Sequence, residues 1–207
     1  MKRLFWAFAV LLGCLLGQGA SWAADVAPGV RARLVQAPVL RGAFEQEKRL
    51  QGFRNPLRSQ GDFILSRERG IVWNTRKPFA STLVLGKDRL QAKQADGRKQ
   101  DLIAAGNSQA LSVANGLMLA LVGGNIDGLA TSFDVREFLS ADGSWALVLV
   151  PKRGPLQKAF QRIELQGDRY VRRVVLSESR GDRTEIKFSG IADLPASLSA
   201  DEARQFD

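Results

Sequence analysis

The sequence predicts a mainly β (α+β) protein in which one antiparallel sheet of about 10–11 strands curls into a barrel or half-barrel. Three observations predict it. Apolar and polar residues alternate with a period of two through most of the chain, as half-buried strands require. The connections between these segments are short, which permits hairpins but not parallel crossovers. One stretch, Asn107 to Val122, breaks the alternation and is rich in Ala and Leu and nearly free of charge, which suits a helix. A stretch this apolar cannot lie free on a wet surface, so it is expected to cover the concave side of the sheet.

The elements follow in order. Lys2 and Arg3 precede an apolar run from Leu4 to Leu16, and small residues end in Ser21-Trp22-Ala23. That is the layout of a secretory signal peptide cut after Ala23, with a run too short for a membrane span of about 20 residues. Residues 1–23 are therefore expected to be a leader and residues 24–207 a single domain. Cys14 in Leu11-Leu12-Gly13-Cys14 also resembles a lipidation site, although the apolar run continues past it. Val26 to Gln36 reads as a short amphipathic helix ended by Ala37-Pro38. Leu40 to Leu50 alternates, with Arg41, Glu45, Glu47 and Arg49 on one face and Leu40, Phe44 and Leu50 on the other. Further strands are expected at Gln60–Arg67, Gly70–Thr75, Ala80–Leu85 and Arg89–Gln94, joined by turns at Ser66–Gly70 and Gly86–Asp88. After the apolar stretch, Gly123-Gly124 and Asn125–Ser132 suggest a helix end and a second short helical segment. Strand periodicity returns at Phe133–Phe138, Trp145–Val150, Ala159–Leu165, Tyr170–Ser177 and Thr184–Phe188, with Asp142-Gly143, Gly167-Asp168 and Gly181-Asp182 as hairpin turns.

Composition narrows the function. The chain has no His, one Cys, and 30 Lys+Arg against 21 Asp+Glu, a formal charge of +9. Loss of the leader would remove Cys14 and two cations. The usual zinc and copper ligands and the usual general base are then absent, and no metal or other cofactor is expected. The basic residues are scattered and the chain is exported, which argues against nucleic acid. The carboxylate pairs Glu45/Glu47 and Asp182/Glu185 are the nearest approach to acid–base chemistry, but no nucleophile elbow or phosphate loop accompanies them. No enzymatic activity is expected.

Gly42-Ala43-Phe44-Glu45-Gln46-Glu47-Lys48, Gly61-Asp62-Phe63, Trp73-Asn74-Thr75-Arg76-Lys77-Pro78 and Ser81-Thr82-Leu83-Val84-Leu85 form an ordered set. That set resembles the LolA-like family, the periplasmic carriers that ferry lipoproteins to the outer membrane. Gly61 through Leu85 lies on the family pattern without a gap, with Arg67, Trp73 and Pro78 in register. Gly52–Leu57 and Gly70–Trp73 resemble in particular a divergent branch of that family. Departures occur at Gly86–Arg89, at the charged Asp96–Gln100 and at Ile191–Asp207. The resemblance implies an unclosed β-barrel with helices forming a lid, and an internal cavity for acyl chains. It implies that Leu117-Met118-Leu119 belong to the lid, and that Arg67 hydrogen-bonds lid backbone as a latch, a task suited to the five donors of a guanidinium.

Phe44, Phe63, Trp73, Phe79, Leu83, Phe133, Trp145 and Leu147, with Leu117, Met118 and Leu119 from the lid, are the candidates for contact with lipid. Any one of them would stabilise the fold by roughly 1.5–3 kcal/mol through burial alone, so the case for a cavity is collective. The expected function is a periplasmic, monomeric carrier that binds the acyl chains of lipoproteins, or of a related lipid, and shuttles them from inner to outer membrane. An inner-membrane donor complex and an outer-membrane acceptor would be its partners. The alternatives are a carrier of a free glycolipid or lipid-like pigment and, if Cys14 is lipidated, a membrane-anchored acceptor.

Overall fold

Eleven residues of alternating character, Val39–Arg49, form β1, the strand about which the sheet is organised. The computed structural model describes residues 27–86, 90–94, 98–103, 116–126 and 128–207. The expected leader, Lys87 and Asp88 of the expected turn, Arg89 at the start of the expected strand and residues 107–115 of the expected helix lie outside the described residues.

Strands β2 (Leu57–Ser66), β3 (Gly70–Lys77), β4 (Ser81–Leu85), β5 (Leu90–Gln94) and β6 (Lys99–Ile103) follow β1 as an antiparallel meander. The second half comprises β7 (Phe133–Leu139), β8 (Trp145–Pro151), β9 (Phe160–Gly167), β10 (Val171–Glu178) and β11 (Arg183–Ala192). β11 pairs antiparallel with β1, giving one 11-stranded sheet in the order β6-β5-β4-β3-β2-β1-β11-β10-β9-β8-β7. β6 and β7 are the two edges, so the barrel is not closed. The expected fold class is the observed one.

Among the described residues five short helices accompany the sheet. α1 is Pro28–Arg33, shorter than the expected Val26–Gln36, because the backbone becomes extended at Leu34. α2 comprises residues 116–121, α3 is Leu129–Ser132, α4 is Pro155–Ala159 and α5 is Ala200–Arg204. α1 is fixed to β7 by Val30 N–H, which donates to Glu137 Oε2 at 3.1 Å, and to the β7–β8 turn by Arg33, which donates to the Ser144 carbonyl.

The alternation of β1 sorts the core into two layers. Leu40 and Phe44 face the concave side and join the main cluster with Phe63, Leu65, Ile71, Leu147, Leu165 and Val174. Val39 faces the convex side, where it meets Ile64, Val72, Val84 and Phe206. The C-terminal segment therefore folds back over β1–β4 and buries what would otherwise be an exposed apolar stripe. Arg41 holds it there, donating to both Glu202 carboxylate oxygens at 2.5 and 2.9 Å and to the carbonyls of Pro195 and Ser197. α5 itself starts in a capping box between Ser199 and Glu202, which satisfies orphan donors of its first turn.

Two glycines make room for the concave aromatics. Gly42 lies opposite Phe63 and Gly61 opposite Phe44 across β1 and β2. A side chain at Gly42 would approach the Phe63 ring to 2.7 Å, and one at Gly61 would strike the Asn74 carbonyl at 1.8 Å. The aromatic rings occupy the space that the glycines leave.

Candidate functional site

α2 lies across the concave face with Met118, Leu121 and Val122 pointing to the sheet, and together they roof an apolar cavity of about 200 Å³. Its walls come from both halves of the sheet: Ile71 and Trp73 of β3, Leu83 and Leu85 of β4, Val174 and Leu176 of β10, and Ile186 and Phe188 of β11. Gln46 and Thr184 are its polar members. Each wall residue is where strand periodicity puts it, since alternate positions of each strand face inward.

An aromatic cluster forms one wall. The Phe44 and Trp73 rings stack with centroids 3.8 Å apart, and Phe188 meets Phe63 and Trp73 edge-on at 5.4 and 6.1 Å. Such pairs add about 0.5–1.5 kcal/mol beyond burial and hold the wall rigid. Beyond Gln46 the concave face becomes polar. Lys48 Nζ donates to Glu178 Oε1 at 2.7 Å and lies 3.8 Å from Asp182. The site thus has an apolar interior and a charged margin.

The structure brings together part of the candidate set. Trp73, Leu83 and Met118 line the cavity, and Phe44 and Phe63 pack into the aromatic cluster behind it. Leu117, Leu119 and Phe133 line a second space of about 320 Å³ on another flank of α2, together with Leu129 and Leu156. Leu147 is fully buried in the main core. Trp145 is buried away from the cavity, its indole N–H donating to the Asp168 carbonyl. Phe79 does not join the buried set. It sits in the β3–β4 turn and is 82% exposed, because the strand ends at Lys77 and alternation no longer fixes its direction. Ile71, Leu85, Val174, Leu176, Ile186 and Phe188 are cavity residues that the sequence reading did not single out.

Arg67 occupies the β2–β3 hairpin. Its Nε donates to the Ala37 carbonyl at 2.8 Å, and its Nη2 donates to Gln36 Oε1 at 2.6 Å and to the Gly123 carbonyl at 3.4 Å. Gly123 follows α2, and Gly124 packs against Leu34. Arg67 therefore bridges the end of α2 and the connection between α1 and β1, with its shorter bonds to that connection.

Of the carboxylates weighed for acid–base chemistry, Glu47, Asp182 and Glu185 sit in ion pairs. Glu47 accepts from Arg49 and Arg58, and Glu185 from Arg173. The Arg49 guanidinium holds the Glu47 carboxyl below its ordinary pKa, and Arg173 does the same for Glu185. Asp182 accepts from the Gln51 N–H. Among the described residues no group of three His, Cys, Asp or Glu side chains is placed to hold a metal ion.

The fold is thus an unclosed antiparallel barrel with a helix roofing an apolar cavity. The model of the family "Outer membrane lipoprotein carrier protein LolA" matches residues 36–201, and the chain belongs to that family of periplasmic carriers. Solved structures similar to it are distant. A LolA superfamily protein from Nitrosomonas europaea is 9% identical, with 81% of this chain and 92% of the other covered and a TM-score of 0.45. A DUF1329 family protein from Desulfovibrio piger is 12% identical, with 84% and 95% covered and a TM-score of 0.45. A candidate outer membrane lipoprotein-sorting protein domain from Vibrio parahaemolyticus is 8% identical, with 87% and 97% covered and a TM-score of 0.44. No curated protein sequence matches the chain. Among the described residues no helix is long and apolar enough to cross a membrane.

Proposed function

We propose that the protein is a periplasmic carrier that holds the acyl chains of a lipoprotein, or of a related lipid, between its sheet and α2 while moving them from inner to outer membrane. The observation that carries this reading is the apolar cavity of about 200 Å³ beneath Met118, Leu121 and Val122. At roughly 30 Å³ for a group the size of a water, it accommodates about half a dozen methylenes. Burial of that many contributes about 5 kcal/mol at ~0.8 kcal/mol each. That is a submillimolar affinity, weak enough to release cargo. A longer chain needs more room than the closed cavity gives, so α2 must lift as cargo enters. Lid closure then competes with cargo for the same apolar wall, and Arg67 sets how readily the lid parts from the α1–β1 connection.

Titration with a fluorescent fatty-acid probe, competed by a lipopeptide, tests this reading. Saturable binding that is lost in Leu83→Asp is expected, because a carboxylate in the cavity must be desolvated. Absence of binding by the folded wild-type protein would overturn it. Cross-linking in the periplasm separates the cargo classes: recovery of acylated proteins supports lipoprotein transport, and recovery of free lipid alone supports the glycolipid or pigment alternative. Export and tethering are read from the mature N-terminus by mass spectrometry. A chain beginning at Ala24 is expected for a free carrier, whereas diacylglycerol on Cys14 would make it an anchored acceptor.

A further inference from the structure

The two ends of the sheet differ in chemistry. At one end the β2–β3 hairpin, α1 and the turn after α2 close over the core through Arg67, Leu34 and Leu65. The opposite end carries the β1–β2 loop and the β3–β4 turn, since Lys48 pairs with Leu57 and Thr75 with Ser81. The β10–β11 turn joins them, with the Gln51 N–H bonded to Asp182. The concave face turns polar toward this end, which makes it the mouth of the cavity.

Three large apolar side chains project from this rim. Phe53 is 72%, Leu57 59% and Phe79 82% exposed. Five cations accompany them, Arg49, Arg54 and Arg58 on one segment and Arg76 and Lys77 on the other, and neither segment 49–58 nor 76–80 contains a carboxylate. Glu47 binds Arg49 and Arg58, and Asp62 binds Arg76. With Lys48, Arg180 and Arg183 against Glu178 and Asp182 at the adjoining β10–β11 end, eight cations stand against four carboxylates and the rim stays positive. Beside the rim a groove of about 780 Å³ runs over β1, β2 and β11, where Glu45, Glu47 and Glu185 are interleaved with Arg49, Arg58, Lys77 and Lys187. The apolar chemistry points outward from loop tips, flanked by arginines, which is the arrangement of an interfacial anchor for an anionic bilayer.

We propose that this rim docks the protein mouth-first on an anionic phospholipid surface, with Phe53 and Phe79 entering the interface and the flanking cations meeting lipid phosphates. The inference goes beyond the carrier reading and does not depend on what the cavity holds. Docking in this orientation would present the cavity to the lipid phase directly.

Co-sedimentation with vesicles tests it, using protein recovered from the periplasmic fraction. Binding to phosphatidylglycerol–phosphatidylcholine vesicles is expected, falling with salt and nearly absent on phosphatidylcholine alone. Arg54→Gln with Lys77→Gln should weaken it about 25-fold, at about fivefold per cation. Phe53→Ser with Phe79→Ser should weaken it about tenfold per ring. Thermal unfolding of each variant, expected to match wild type, keeps a folding defect from passing as a docking defect. No binding to anionic vesicles would overturn the proposal and leave an acidic protein as the rim's partner. Equal binding to neutral vesicles would also overturn it. So would binding that both double variants retain, since the adhesion would then come from elsewhere, including residues 1–26.

Discussion

Replacing Glu202 by Gln should destabilise the protein at neutral pH and have progressively less effect as the solution is acidified. Glu202 accepts from Arg41 Nε at 2.5 Å and Nη2 at 2.9 Å and from the Ser199 N–H at 2.7 Å. The Arg41 hydrogen bond chiefly holds its pKa down to about 2, against an ordinary 4.5. A depression of that size corresponds to roughly 3 kcal/mol at 1.36 kcal/mol per unit. Both side chains keep 19% of their surface in water, so solvent screening reduces the expected effect to about 2 kcal/mol. The folded-state pKa is lowered, so the contribution is fully present above the unfolded value near 4.5 and is lost as pH falls toward 2. Urea unfolding followed by far-UV circular dichroism should give a wild-type advantage of about 2 kcal/mol at pH 7. The advantage should shrink below pH 4.5. A difference unchanged between pH 7 and pH 3 would refute the assignment of that stability to the ionised carboxylate.

Two further outcomes are expected. Arg67→Leu should loosen α2 from the α1–β1 connection, so that hydrogen exchange at residues 116–123 accelerates and loaded protein accumulates with slower transfer. Unchanged exchange and transfer would remove Arg67 from lid control. Phe44→Ala should cost about 3–5 kcal/mol, because the ring is buried and stacked on Trp73. Denaturant unfolding measures it, and a loss below about 1 kcal/mol would show that Trp73 collapses into the vacated space.

Much of the sheet was legible because its signal is local. In β1 the positions of Leu40, Gly42 and Phe44 against Arg41, Ala43 and Glu45 fix both the strand and its inward face. β6 escaped because Lys99-Gln100-Asp101-Leu102-Ile103 shows little alternation. It is an edge strand, and charge on an edge guards against pairing with another chain. α5 escaped because five residues are too few for helical periodicity, although Ser199 and Glu202 carried the capping-box spacing. The cavity was legible only in part. Alternation identifies Ile71, Val174 or Phe188 as inward residues, but not whether an inward residue touches a neighbour or borders empty space. That depends on how α2 crosses the sheet, which is a long-range fact. Phe79 shows the opposite failure. Its hydrophobicity suggested burial, whereas its place in a turn puts it in water.

The absence of pairing between β6 and β7 changes what it takes to admit a bulky guest. A closed barrel can widen only by breaking interstrand hydrogen bonds, each worth about 1 kcal/mol net. Here the two half-sheets share a single seam between β1 and β11, which acts like the spine of a book. A small change of twist at that spine spreads the covers and enlarges the interior with every ladder intact. Swelling is then resisted by side-chain contacts at the helical roof, a soft and graded resistance. For a carrier of the proposed kind, one wall would then serve guests of different girth without being rebuilt for each.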